Sequence, residues 1–181
     1  MKGEIINMTI GFFRETEEYG FLSNFYYSPF TVSYMNEDGV KSYEFKTAEH
    51  AVHFFKAMLF NDIETANKIM MTDYPKVAKS LGREVKNFDQ NIWDLNKRAI
   101  YFDAIKAKFT DERNKDIKQK LIDTGDSILV ECSPYDRIWG IGYTKESSEF
   151  ICKEFNKWGQ NLLGKILMKV RRDIELEDTI A

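Results

Sequence analysis

Apolar and polar positions alternate in short stretches near the N-terminus and then change to helical spacing. Thr9–Phe13 reads as a strand. Phe30–Tyr34 and Val40–Tyr43 flank Asn36-Glu37-Asp38-Gly39, a sequence suited to a hairpin turn. Thr47 stands where a helix N-cap belongs, and Ala48, Val52, Phe55 and Leu59 follow at helical spacing, so they are expected to face a core. A second helix is predicted over Ile63–Met71 and a third from Pro75 to Gly82, with the proline in its first turn. Ile92–Phe109 is the longest predicted helix. Leu95, Ala99, Phe102 and Phe109 form one stripe on it, and Trp93, Ile100, Ala104 and Ala107 a second, which predicts burial on two sides. A helix over Glu112–Ile122 should end at Thr124-Gly125, ahead of a buried strand Ser127–Glu131. Ser133–Gly142 is a loop. A last helix over about Asn161–Glu175 carries Leu163, Ile166, Leu167, Val170 and Ile174 on one side. The sum predicts an α+β fold, mostly helical, with a small sheet.

The chain has 181 residues, no repeat and no Pro/Gly-rich linker; its three prolines are scattered. One domain over 1–181, with its core at about 10–172, is the expectation. Hydrophobic residues make up 43% and charged residues 30%, the balance of a globular protein rather than a disordered one. A net charge of -3 argues against a basic surface that coats DNA, while leaving room for a local basic pocket. Aromatics reach 14%, enough to fill a core and also to wall a pocket for a flat ring. Cys132 and Cys152 make no CxxC pair, and no apolar run is long enough to span a bilayer. The N-terminal stretch through Phe13 lacks a signal-peptide pattern, so a cytoplasmic protein without membrane attachment is expected.

Few residues suggest chemistry. Glu49, His50 and His53 could suggest a metal, but the order is E-H-x-x-H rather than the H-E-x-x-H of zinc proteases, and no further histidine or cysteine pair stands by, so no metal is expected. On a helix, Glu49, His53 and Lys56 share a face beside the apolar stripe. A carboxylate at such a boundary is partly desolvated and suited to acid–base work; a solvated charged face is the plainer alternative. The loop after the predicted strand holds Asp136, Arg137 and Trp139 together. Trp139 suits stacking on a base and Asp136 suits ribose hydroxyls or a water, against the alternative of a loop locked by its own Asp–Arg pair. Gly159 and Asn161 precede a helix whose free N–H groups could bind phosphate, or Asn161 could simply cap it. Arg83 could hold a phosphate with two parallel bonds, and Asn24 could read a base edge. No Walker loop, G-x-S-x-G motif or dinucleotide fingerprint is present.

Taken in order, the segments resemble the NADAR (YbiA-like) family. They are F-L-S-N-F (Phe21–Phe25), Y-x-x-x-T-A-E-H (Tyr43 to His50), K-A-x-L-F-x-D (Lys56 to Asp62), A-K-x-L-G-R (Ala78–Arg83) and W-x-x-x-K-R (Trp93 to Arg98). Ala104–Phe109, L-x-x-T-G-D (Leu121 to Asp126), L-V-E-x-S-P-x-D-x-I-W-G-I-G (Leu129 to Gly142) and W-G-Q-N-L-L-G-K-x-L-M-x-V-R (Trp158 to Arg171) follow. His53, Phe55 and the charged run Tyr143–Lys157 depart from the family pattern.

The resemblance implies hydrolysis of N-glycosidic bonds in ribose-phosphate compounds. These are either phosphoribosylamino-pyrimidine intermediates of riboflavin synthesis or ADP-ribosylated guanine in a nucleoside or in DNA. It implies Glu49 and Asp136 as catalytic residues, with Asn24, Lys56, Arg83, Trp93, Trp139 and Asn161 binding substrate, and no cofactor. The expected partner is a ribose-phosphate or ADP-ribose small molecule, with ADP-ribosylated nucleic acid as a further candidate. The alternative is a non-catalytic module that binds ADP-ribose or a nucleotide.

Overall fold

The computed structural model describes residues 8–36 and 39–180. The chain packs as two compact units, one of Met1–Ser23 with Gln119–Ala181 and one of Asn24–Lys118. In chain order the second interrupts the first. No linker composition announces the division, because its boundaries fall at Ser23 and inside a helix.

In the first unit, β1 (Thr9–Phe12) pairs in parallel with β4 (Ile128–Glu131), from Thr9 opposite Ile128 to Phe12 opposite Glu131. Alternation places Ile10 and Phe12 inward, and both are buried. Helix α7 (Leu162–Ile180) packs on β4. Its predicted stripe is buried as expected, and it runs five residues past the predicted end at Glu175, through an exposed turn. Val130, Cys132 and Ile141 form a small core, covered by Tyr143, Phe150 and Trp158. Phe150, with the short helix α6 (Ser148–Ile151), comes from the charged segment that sequence pattern left undefined, and Trp158 opens the W-G-Q-N-L-L-G segment that follows it. Both cysteines are free. Arg171 is buried, and its guanidinium donates to Thr124 Oγ1 at 2.6 Å and to the Ser127 carbonyl at 3.1 Å. The T-G-D and V-R segments are thus two halves of one structural clasp.

In the second unit, β2 (Phe30–Asn36) and β3 (Gly39–Phe45) form an antiparallel hairpin with Phe30 opposite Phe45. Both strands run beyond their predicted ends. Glu37 and Asp38 of the predicted turn lie outside the described residues; Gly39 has φ +112°, the left-handed region that favours glycine. The small sheet of the sequence reading is therefore two separate two-stranded sheets. Phe45 meets Phe54 and Phe55 of α1 (Ala48–Leu59), with ring centroids 5.3 and 5.6 Å apart. Burying such a side chain contributes roughly 2–3 kcal/mol.

Helices α2 (Ile63–Met71), α3 (Pro75–Arg83) and α4 (Gln90–Thr110) also pack against α1. Surrounded in this way, α1 buries Glu49, His50, His53 and Phe54 as well as Ala48 and Val52, while Phe55 and Leu59 are only half-buried. The single apolar stripe predicted for it is too narrow.

The two stripes predicted for α4 need a larger correction. Leu95 is 84% exposed and Ala99 is exposed. The buried residues Tyr101, Ala104, Ile105, Lys108 and Phe109 lie on one face of the C-terminal half. Besides its contact with α1, the helix packs against β2 and the 3-10 turn Glu112–Asn114 that precedes α5 (Lys115–Asp123). Burial pushes the Lys108 ammonium down to about 7; its Nζ lies 5.0 Å from the Phe109 ring and 5.6 Å from that of Tyr26. Asp62 holds the loops together: its carboxylate accepts from Thr65 N as the α2 N-cap and from Lys86 N just after α3. These bonds, led by the Lys86 amide, hold its carboxyl below the usual range.

Candidate active site

The start of α1 carries a buried polar cluster of Thr47, Glu49, His50 and His53. Thr47 caps the helix through its hydroxyl, which accepts from His50 N. His50 then has both ring nitrogens engaged, Nδ1 with Thr47 Oγ1 at 2.8 Å and Nε2 with the Thr72 carbonyl at 3.2 Å. A carbonyl only accepts, so Nε2 donates to it. His50 therefore pins the beginning of α1 to the end of α2 and is not turned toward His53 as a ligand pair. The Asn24 carbonyl accepts from Glu49 N at 2.9 Å, which joins the F-L-S-N-F segment to the same helix start.

Glu49 is 4% exposed. Its Oε1 accepts from His53 Nε2 at 3.0 Å and lies 3.7 Å from Lys79 Nζ of α3. No hydrogen bond among the described residues ends on Oε2. Burial alone pushes such a carboxyl up, but the His53 hydrogen bond, with the charges of His53, Lys79 and His50, outweighs it and holds Glu49 below the usual carboxylate range. The side chain expected at a half-solvated boundary is thus buried, ionised and held by one oxygen.

Two turns beyond Glu49 along α1, Lys56 donates to the Gly82 carbonyl at 2.7 Å, and its Nζ lies 4.5 Å from the Phe88 ring and 5.3 Å from the Trp93 ring. Burial, and then the positive charge of Arg83, lowers its affinity for a proton. Two cations close enough to repel, beside two aromatic rings, suit an anion with a flat neighbour. Arg83 is exposed and Trp93 half-buried. Lys79 also faces the Phe25 ring, at 5.4 Å. Of the predicted residues, the fold gathers Asn24, Glu49, Lys56, Arg83 and Trp93 about α1. It adds His53, Lys79 and Phe88, which the sequence reading did not place in the site; Lys79 lies inside the A-K-x-L-G-R segment, where the pattern was the available signal.

The predicted residues of the first unit have different surroundings. Asp136 Oδ1 accepts from Ile138 N and Trp139 N, both at 2.8 Å, a turn closed by a side chain. Arg137 donates to the Lys157 carbonyl at 2.7 Å, so the loop is not locked by an Asp–Arg pair. Trp139 is half-buried.

Asn161 differs from its expectation. It is buried, with φ +49°, and its side chain bridges β4: Oδ1 accepts from Glu131 N at 3.0 Å and Nδ2 donates to the Leu129 carbonyl at 2.9 Å. It stands at the N-cap position, its carbonyl accepting from Lys165 N, but its side chain does not cap the helix. The amides of Leu162 and Leu163 donate to the Ile138 and Trp139 carbonyls, so the first two N–H groups expected for phosphate at this helix start are already engaged. Gly159 and Gly164 permit that close backbone packing. A Cβ at Gly164 would stand 2.1 Å from the Leu129 carbonyl oxygen. A cleft of about 410 Å³ in this unit, walled by Ile10, Tyr19, Phe21, Lys120 and Asp123, contains none of the predicted site residues. No helix among the described residues is long and apolar enough to cross a membrane.

Comparison with known proteins fits this arrangement of segments. Residues 11–175 match the model of the NADAR domain. The chain is 41% identical over 141 residues to an N-glycosidase of Acanthamoeba polyphaga mimivirus, covering 77% of this chain and 79% of that one. It is 28% identical to a riboflavin biosynthesis protein of Vibrio vulnificus, covering 97% of this chain and 41% of that longer protein. The NMR structure of the E. coli protein YbiA superposes with a TM-score of 0.71 at 25% identity, over 96% of this chain and 88% of that one. The chain belongs to the NADAR family, and its α+β, mostly helical fold is that of YbiA.

Proposed function

We propose that this protein is an N-glycosidase that hydrolyses the bond between a phosphate-bearing ribose and a nitrogen, with Glu49 as its working carboxylate. One observation carries the proposal: a buried carboxylate held ionised by its surroundings, one oxygen bonded to His53 and the other without a hydrogen bond among the described residues, with the Lys79 ammonium 3.7 Å away. An ionised Glu49 does not serve as the acid that protonates the leaving group. It serves as the negative charge beside the sugar, or as the base for water.

As the C1′–N bond breaks, its electron pair leaves with the nitrogen, which takes up a proton from solvent, and positive charge builds on the ribose; the proton later taken by Glu49 returns to solvent. Glu49 stabilises that charge and receives a proton from the water whose oxygen bonds to C1′. Lys56 and Arg83 hold the phosphate, and Trp93 with Phe88 flanks the flat ring. The geometry favours an anchoring part for Asp136, through the turn that fixes Trp139, over proton transfer. Asn161 is proposed as a structural residue in place of the phosphate ligand first expected.

Similarity to a riboflavin biosynthesis protein favours a phosphoribosylamino-pyrimidine as substrate. ADP-ribosylated guanine offers the same sugar–nitrogen bond and the same phosphate and is the second candidate. The test is a panel of both, including ADP-ribosylated DNA, with chromatography of the released sugar phosphate and base. Release from one class assigns it. Saturable ADP-ribose binding with no release from any member of the panel marks a binding module and ends the enzymatic reading.

A further inference from the structure

We infer that His53 is the positioning residue of the site: it holds Glu49 in its working orientation, and Gly82 is the residue that makes room for it. This rests on the reading of Glu49 given above and extends it to a residue at which the sequence departs from its family pattern.

The geometry is specific. His53 lies one helical turn after Glu49, is 8% exposed, and places Nε2 3.0 Å from Glu49 Oε1. Its other nitrogen, Nδ1, is buried without a hydrogen-bond partner among the described residues, so the contact with Glu49 is the ring's one polar anchor there. A buried polar atom without a partner is costly. The arrangement is retained here in the interior of a short helix where an apolar residue would pack without that cost.

The space for the ring comes from α3. A Cβ on Gly82 would lie 2.0 Å from His53 Nδ1 and 2.5 Å from Cγ, so even alanine at 82 displaces the imidazole. Gly82 also accepts from Lys56 through its carbonyl, so one position on α3 sets both the carboxylate's partner and the placing of the Lys56 ammonium. The charged and titratable groups that act on Glu49 are His53 and His50 from α1 and Lys79 from α3. Of these, His53 alone makes a hydrogen bond to the carboxylate, Lys79 standing 3.7 Å away. An orienting hydrogen bond of this kind commonly contributes about 10- to 100-fold to turnover or affinity.

The test compares His53→Ala, His53→Gln, Gly82→Ala and the double variant His53→Ala/Gly82→Ala. Glu49→Gln is the control, and the substrate is whichever panel member the unmodified enzyme cleaves. His53→Ala is expected to lower kcat at least about 10-fold with little change in KM, whereas His53→Gln, which keeps an N–H donor, restores most of it. Gly82→Ala is expected to match His53→Ala, with the double variant no worse than either, because both remove the same contact.

A second readout needs no substrate. The Glu49 side-chain carboxyl, followed by 13C NMR across pH, should titrate at a higher pH in His53→Ala than in the unmodified protein and stay near the unmodified position in His53→Gln. If His53→Ala does not fold, the titration in His53→Gln decides: a carboxyl released to higher pH there overturns the inference. So does full activity of His53→Ala while Glu49→Gln is inactive. An active Glu49→Gln instead overturns the reading of Glu49 itself.

Discussion

Two acidic side chains invited the same expectation from sequence, and their surroundings separate them. Asp136 closes its own loop: one oxygen accepts two backbone N–H groups two and three residues ahead. Glu49 accepts no backbone N–H; its partners are side chains, one from its own helix and one from α3, and it is buried. A carboxylate bonded to its local backbone shapes the chain. A carboxylate held by side chains from two elements is a charge fixed in place, and maintaining it needs the whole second unit. The same difference runs through the flanking motifs. In the first unit, Asn161, Gly159, Gly164 and Arg171 are engaged in joining backbone segments, whereas in the second the motif residues Lys56, Lys79, Arg83 and Trp93 present charge and aromatic surface around α1.

The strongest way to break this comparison is Glu49→Gln. The amide is nearly isosteric, so the fold should persist, while turnover falls at least about 100-fold on the scale of one positioned acid–base group. Steady-state kinetics beside a thermal melt measure both. Near-normal turnover would place Glu49 with the structural carboxylates.

Asn161→Ala probes the opposite class. It leaves the Glu131 amide and the Leu129 carbonyl without their side-chain partner, at about 1 kcal/mol or more for each lost bond. The expected result is a lower urea midpoint with KM unchanged in the folded fraction; a large rise in KM at unchanged stability would return Asn161 to the substrate.

Lys56→Ala or Arg83→Ala should raise KM about 10-fold, with a smaller effect on kcat, if the two hold a phosphate. A substrate lacking the phosphate should be insensitive to either change. Asp136→Asn sharpens the comparison from the other side, since the amide oxygen can still accept both N–H groups; turnover within about 10-fold of normal is expected, below the usual range for a lost acid–base group.

The smallest effect is on acid stability. Glu49 has a lower pKa folded than in the unfolded chain, so its contribution is complete above the unfolded value and is lost as pH falls through the folded one. Urea midpoints taken from pH 7 downward should show a shallower acid decline for Glu49→Gln than for the unmodified protein.

Much of this protein was legible in local pattern. The boundaries of α2 and the start of α3 agree with the reading of capping and periodicity, because Asp62 and Pro75 act within a few residues of themselves. The apolar stripe of α7 agrees as well, since a helix packed on one strand needs only one face. The stripes of α4 misled because spacing shows that a face is apolar and not whether anything covers it; Leu95 and Ala99 are left exposed. In the candidate site, the carboxylate and the cation were readable as residue types at helical spacing.

Sequence alone determined the strands, the helices other than the short α6, and the position of Glu49 on the first long helix, because capping and periodicity act between neighbours close along the chain; the order of its motifs gave the family resemblance. Tertiary structure decided which acid is buried, that Lys79 and Gly82 of α3 stand against Glu49 and His53, and that the Asn161 helix start is closed by carbonyls from an earlier loop. Those contacts join residues twenty or more positions apart, and an amino-acid pattern does not encode which distant surface will exclude water from a charge.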